Sequence, residues 1–131
     1  MVNQDFRYFA FNNFYEFYIS ESLSLKDVSM EQNDLSPEQN IRYKQLMLNT
    51  NTTLEEIILY IDENSTNWTF ERISSVEKVC LILGVSELSM MLTKKAVIIA
   101  EWVKLADTHS TKEGAKFVNA LLESINTVLT K

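Results

Sequence analysis

The side chains that could attack a carbon, relay a proton or hold a metal ion are few in this chain. There is 1 His, His109, and 1 Cys, Cys80. His109 stands in the polar stretch "DTHST" and is read as a solvent-exposed loop residue. A lone histidine leaves no His-based metal site and no Ser-His-Asp or Cys-His pair to assemble. Cys80 lies in an apolar run and reads as a small core residue; a single cysteine permits no internal disulfide, which fits a reducing compartment. The acid pairs Glu55 with Glu56 and Asp62 with Glu63 are adjacent, so they diverge on a helix and suit a solvated face better than acid and base work. No Gly-rich phosphate loop is present. The expectation is a protein that is not an enzyme and takes no metal or cofactor.

What remains is the chemistry of recognition. Lys94 and Lys95 sit at one predicted helix start, and Lys104, Lys112 and Lys116 follow further on. The net charge of −6 argues against coating nucleic acid non-specifically, because that binding is driven by phosphate neutralisation. A local basic patch stays compatible with it. If the last two helices bring these lysines near Arg7 and the tyrosines of the first helix, cations and stacking rings converge. That pairing suits single-stranded RNA.

These groups need elements to position them. A chain of 131 residues with 46% hydrophobic residues, 2 Gly and 1 Pro fits one domain over residues 1–131, with too little turn punctuation for a many-turned sheet. The expectation is all-α, one compact domain of about seven helices with short loops. No apolar stretch reaches the roughly 20 residues that span a bilayer, and "MVNQDFRYFAF" lacks a basic region followed by an aliphatic core. The chain is therefore expected to be cytoplasmic, with no membrane contact.

Aromatic residues crowd residues 5 to 20. As a helix, this segment puts Phe6, Ala10, Phe14 and Phe17 on one face and Tyr8, Tyr15 and Ile19 on the other. "SPEQ" marks a helix start, with Ser36 as N-cap and Pro37 in the first helical position. "NTNTT" is expected to interrupt that helix after Leu48, with Thr52 or Thr53 capping the next. Ser74 and Glu77 form a capping-box pattern. The run from Val76 to Met91 is apolar on nearly every side, which predicts a central helix buried on nearly all sides. Gly84 would admit a close neighbour. Glu87 is the one charge in that run whose burial needs a partner, and Arg72 is the candidate. Thr93 and Thr111 are predicted to cap the last two helices. In the final one, Phe117, Val118, Leu121, Leu122, Ile125, Val128 and Leu129 share an arc roughly 140° wide, with Asn119 just past its edge.

The blocks "WTFERISSVEKVCLILGVSEL", "KKAVIIAEWVKLA" and "KFVNALL" together resemble the NusB family of transcription antitermination factors, in order and spacing over residues 68 to 122. "AFNNFY" echoes the family's first-helix pattern. The resemblance implies two small helical bundles, no catalysis, and joint recognition of boxA-type single-stranded RNA with the ribosomal protein NusE inside a transcription complex. It places Arg7, Glu113, Lys116 and Phe117 at the RNA, and Tyr15 and Glu77 at NusE. It also implies that the Asn119 amide ties its helix to a neighbouring element. Family members usually carry an Arg-rich stretch at the start of the first helix, where this sequence has "NQDFR" and retains only Arg7. A second expectation follows: a protein-interaction module that keeps the NusE surface without boxA binding. Self-association stays open.

Overall fold

The computed structural model describes residues 5–20, 35–65 and 73–130. Among these residues there are five helices and no strand: α1 (Phe6–Ser20), α2 (Pro37–Asn64), α3 (Ser75–Met90), α4 (Lys95–His109) and α5 (Lys112–Leu129). Side-chain caps start four of them, and at α1 Asp5 Oδ1 accepts from the Arg7 N–H at 2.7 Å. Ser36 accepts from the Gln39 N–H with Pro37 opening α2, Ser74 accepts from Glu77, and Thr111 accepts from Gly114. Each supplies an oxygen to a first-turn donor that has no partner inside the helix.

Among the described residues five helices stand against about seven expected for the chain, and the "NTNTT" stretch accounts for part of the difference. The expected interruption falls there as a kink at Thr53 (φ −116, ψ 21), across which two helical stretches join as α2. The hydroxyls of Thr50, Thr52 and Thr53 donate back to the carbonyls of Leu46, Leu48 and Asn49, each at 2.8 Å. Threonines bonded to the preceding turn bend a helix; they do not cap a new one. Residues 68–72, which open the first of the resemblance blocks, lie outside the described residues. Thr93 does not cap α4 either. Its hydroxyl accepts from Arg42 Nη2 at 2.9 Å, and the cap position falls to Lys94, which makes no side-chain cap bond.

The central-helix expectation holds from Val79 to Leu88, while Val76 and Met90 are half-buried and Met91 is exposed. Every residue of α3 from Val79 to Leu88 is buried, and α3 touches each of the other four helices. Burial on all sides explains why this segment has no polar stripe. Gly84 lies against α5 and α4. A Cβ there would sit 3.1 Å from both terminal methyls of Leu122 and 3.5 Å from Trp102 Cδ1. On α1, Phe6, Ala10, Phe11 and Phe14 are buried and Tyr8 is 40% exposed. On α5, the predicted arc is buried through Val118, Leu121, Leu122 and Ile125, whereas Val128, in the last turn, is 43% exposed. Among the described residues, no helix is long and apolar enough to cross a membrane.

Glu87 does find a partner, but the described one is Arg7, 80 positions away in sequence; Arg72 lies outside the described residues. Arg7 donates Nε to Oε1 at 2.8 Å and Nη2 to Oε2 at 2.6 Å, a bidentate fork between two side chains each about 5% exposed or less. Trp102 Nε1 donates to the same Oε1 at 2.8 Å, and Arg42 Nη2 stands 3.8 Å from Oε2. The guanidinium carbons of Arg7 and Arg42 lie 4.6 and 4.4 Å from the Phe6 ring centroid. One carboxylate thus joins α1, α2, α3 and α4.

Candidate nucleic-acid and partner interface

The N-terminus of α5 is built to sit close to α3. Gly114, in its first turn, has no side chain, and a Cβ there would collide with the Glu77 carboxylate and lie 2.9 Å from Ser110 Oγ. That gap lets Glu77 reach across from the start of α3, where its Oε2 accepts from Ser110 Oγ at 2.8 Å. A carboxylate beside the first turn of a helix is favoured by the partial positive charge of the unpaired N–H groups. Glu77 therefore supplies only its N–H to the Ser74 cap, while its carboxylate serves α5. Glu77, Glu113, Gly114 and Phe117 line one cavity of about 310 Å³, with Ile73 and Ser74 on its α3 side. Phe117 is half-buried with its ring packed against the core, and Glu113 is exposed.

Lys116 points to the neighbouring face. With Lys104, Lys112, Asp107 and Asn119 it lines a shallow concavity of about 470 Å³ between α4 and α5. Lys104 also borders a third cavity, about 300 Å³, that includes Tyr8, Arg7, Glu101 and His109. Lysines and one exposed tyrosine ring therefore run along one continuous side of the molecule. Lys104 also pairs with Glu101 at 3.6 Å, a surface contact of small energetic weight.

Arg7 is placed differently from a phosphate ligand. It is 4% exposed, and besides its fork to Glu87 it pairs through Nη1 with Asp5 at 3.0 Å. Burial by itself would make the guanidinium less basic. The hydrogen bond to Glu87 and the charges of Glu87, Asp5 and Glu101 outweigh that and hold its pKa above the usual value. Its donors are spent inside the protein. Asn119 is exposed on the lysine side, where its amide faces the concavity and not a neighbouring helix.

Tyr15 is half-buried and stacks on Phe11, with centroids 5.9 Å apart, and Phe11 in turn stacks on His109 at 4.9 Å. His109 is exposed, as expected, but it is the last residue of α4 and not part of a free loop. Lys78 Nζ lies 5.6 Å from the Tyr18 ring centroid, so the later turns of α1 run beside the start of α3. The helices that carry Tyr15 and Glu77 meet there. Neither Ser110 nor Gly114 stands out in the sequence as a functional residue. The one available signal was a glycine in the first turn of a helix, where propensity disfavours it.

Among the described residues, no three His, Cys, Asp or Glu side chains converge on a common point. The concave faces carry carboxylates, lysines and rings on a helical frame, which defines an all-helical protein equipped for ionic and aromatic recognition. The sequence profile of the NusB family matches residues 4–127, and the chain belongs to that family. It is 39% identical over 83 residues to the transcription antitermination protein NusB of Treponema denticola, covering 63% of this chain and 61% of that one. The chain thus spans about three-fifths of that relative's length. Its fold is similar to that of T. maritima NusB, with a TM-score of 0.86 at 20% identity over 93% of this chain and 88% of that one. It is also similar to a chain from a crystal structure of antitermination factors NusB and NusE in complex with double-stranded RNA, with a TM-score of 0.78 at 25% identity and 91% of each chain covered.

Proposed function

We propose that this chain is a non-catalytic antitermination factor that binds boxA-type single-stranded RNA together with the ribosomal protein NusE, in the cytoplasm, during transcription of ribosomal RNA. The observation that carries this reading is the convergence of Glu77, Glu113 and Phe117 on one cavity beside the lysine-lined concavity of Lys104, Lys112 and Lys116. Phe117 offers a ring for a base, and the lysines offer charge to the phosphates that flank it. Glu77 and Tyr15, on the helices that meet at the start of α3, are the residues assigned to NusE. Arg7 enters this reading as the residue that anchors α1, not as a phosphate ligand. Titrating labelled boxA-like RNA with the chain, with and without NusE at one fixed salt concentration, tests it. Binding that tightens with NusE is expected, and no binding under either condition overturns it.

A second reading is favoured by one specific observation, the commitment of Arg7 to Glu87 and Asp5. With that cation withdrawn, the same surface would serve NusE alone as a protein-interaction module. NusE binding without any RNA affinity, in the same titration, selects this alternative.

A further inference from the structure

At the far end of α4 from His109, Leu88, Met91 and Ile98 line a groove of about 430 Å³, walled on the α5 side by Asn126 and Thr130. It is lined by none of the residues assigned above to RNA or NusE. Its mouth is unusually apolar for a surface. Met91 is 66% exposed in a left-handed conformation (φ 57), and Leu92, next in the chain, is 67% exposed. Val97 and Val128, on the two helix ends that flank the groove, are 44% and 43% exposed. Exposed apolar residues scattered singly need no explanation, but a group of them around a concavity marks an interaction site.

The charge at the groove says what fits it. Lys94 and Lys95 line it, both are exposed, and among the described residues neither makes an ion pair. No acidic side chain is among its lining residues, in a chain whose net charge is −6. The same two lysines open α4, which starts without a side-chain cap because Thr93 is held by Arg42. The Val97 and Ile98 N–H groups turn back to the Lys94 carbonyl, and those of Lys95 and Ala96 are left for an acceptor from outside. Two unpaired ammonium groups, an uncapped helix start and an apolar floor complement one kind of occupant.

We infer that this groove docks a peptide segment of a partner protein in which an Asp or Glu side chain stands next to large apolar residues. The carboxylate meets Lys94, Lys95 and the start of α4, and the apolar residues cover Met91 and Leu92. Complementary charge across such a rim governs encounter and register, while the apolar anchors supply the affinity.

Panning a random peptide library on the full chain tests this. The enriched peptides should combine Asp or Glu with Leu, Ile or Phe. Labelled copies of them should lose affinity by about tenfold in a Lys94→Glu/Lys95→Glu variant, and comparably with Met91→Glu. Circular dichroism should show unchanged helix content in both variants, since all three side chains are exposed. A consensus without acidic residues, or affinity indifferent to the double charge reversal, overturns the inference. Concentration-dependent self-association of the wild-type chain that the double variant abolishes would assign the groove to a second copy, and also overturns it. None of these outcomes depends on RNA or NusE binding.

Discussion

Replacing Arg7 by Met removes the cation from the carboxylate that joins four helices. Glu87 then loses two of its three short hydrogen bonds, keeping the one from Trp102 at 2.8 Å, with Arg42 left at 3.8 Å. Breaking a buried ion pair by removing one partner costs about 3–5 kcal/mol, because the other charge stays buried and uncompensated. Arg42 is near enough to move in, which puts the expectation at the lower end, about 3 kcal/mol. Against a total stability of roughly 5–15 kcal/mol, that is a large fraction. Glu87→Gln keeps an oxygen for Trp102 while discarding the charge. The double variant should then be less damaged than the two single losses added together, with a coupling of about 2 kcal/mol. Urea unfolding followed by far-ultraviolet circular dichroism measures all four species, and an unchanged denaturant slope would show that the same surface unfolds in each. A coupling below about 0.5 kcal/mol would refute the reasoning, since the pair would then contribute no more than an exposed one.

Gly84→Leu should destabilise by roughly 3 kcal/mol in the same melts, because even a Cβ stands 3.1 Å from the Leu122 methyls and no room remains for a longer side chain. Gly84→Ala should be close to neutral, since the gain of about 1 kcal/mol in helix propensity offsets a small shift of those flexible methyls. Phe117→Ala, checked for folding, should weaken RNA binding in the presence of NusE by about tenfold with little change in salt slope, whereas Lys116→Ala should flatten the slope by about one unit. Normal RNA binding by a folded Phe117→Ala variant would assign that ring to the core alone. Burial, with a smaller push from the charge of Glu77, raises the Cys80 thiol from its ordinary value of 9.0 to about 12. Because the folded state resists ionisation, this group's contribution is intact below pH 9 and is lost as pH rises through about 12. Native protein at pH 8 should therefore leave an aromatic disulfide reagent unreacted until denaturant is added, and rapid reaction without denaturant would contradict the burial.

The caps at Ser36, Ser74 and Thr111 and the buried run of α3 were legible because each is a local pattern: an oxygen three residues before a donor, or an apolar surface with no gap. What escaped was set by groups distant in the chain. Thr93 looks like a cap until Arg42, 51 residues away, takes its hydroxyl. Glu87 announces that it needs a cation, but nothing local says that Arg7, 80 positions away, supplies one. At the candidate interface, Glu113 and Phe117 share the first turns of one helix and were readable as neighbours. The reach of Glu77 to Ser110 was not, because it depends on a missing Cβ at Gly114 in another element. The three threonines of α2 show a subtler failure, since the same hydroxyl that starts a helix when it faces forward bends one when it faces back.

The 80 positions between Arg7 and Glu87 also set a timetable. During synthesis at about 5–20 residues per second, the chain carries α1 for on the order of 4–16 seconds before its anchoring carboxylate is even made. Throughout that interval the rings of Phe6, Phe11 and Phe14, all buried in the finished molecule, have at most α2 to pack against and lack the buried run of α3. Helices form in microseconds, but closing so long a loop waits for its second end. Translation speed and early-binding chaperones should therefore influence the yield of this protein more through its first twenty residues than through any later segment.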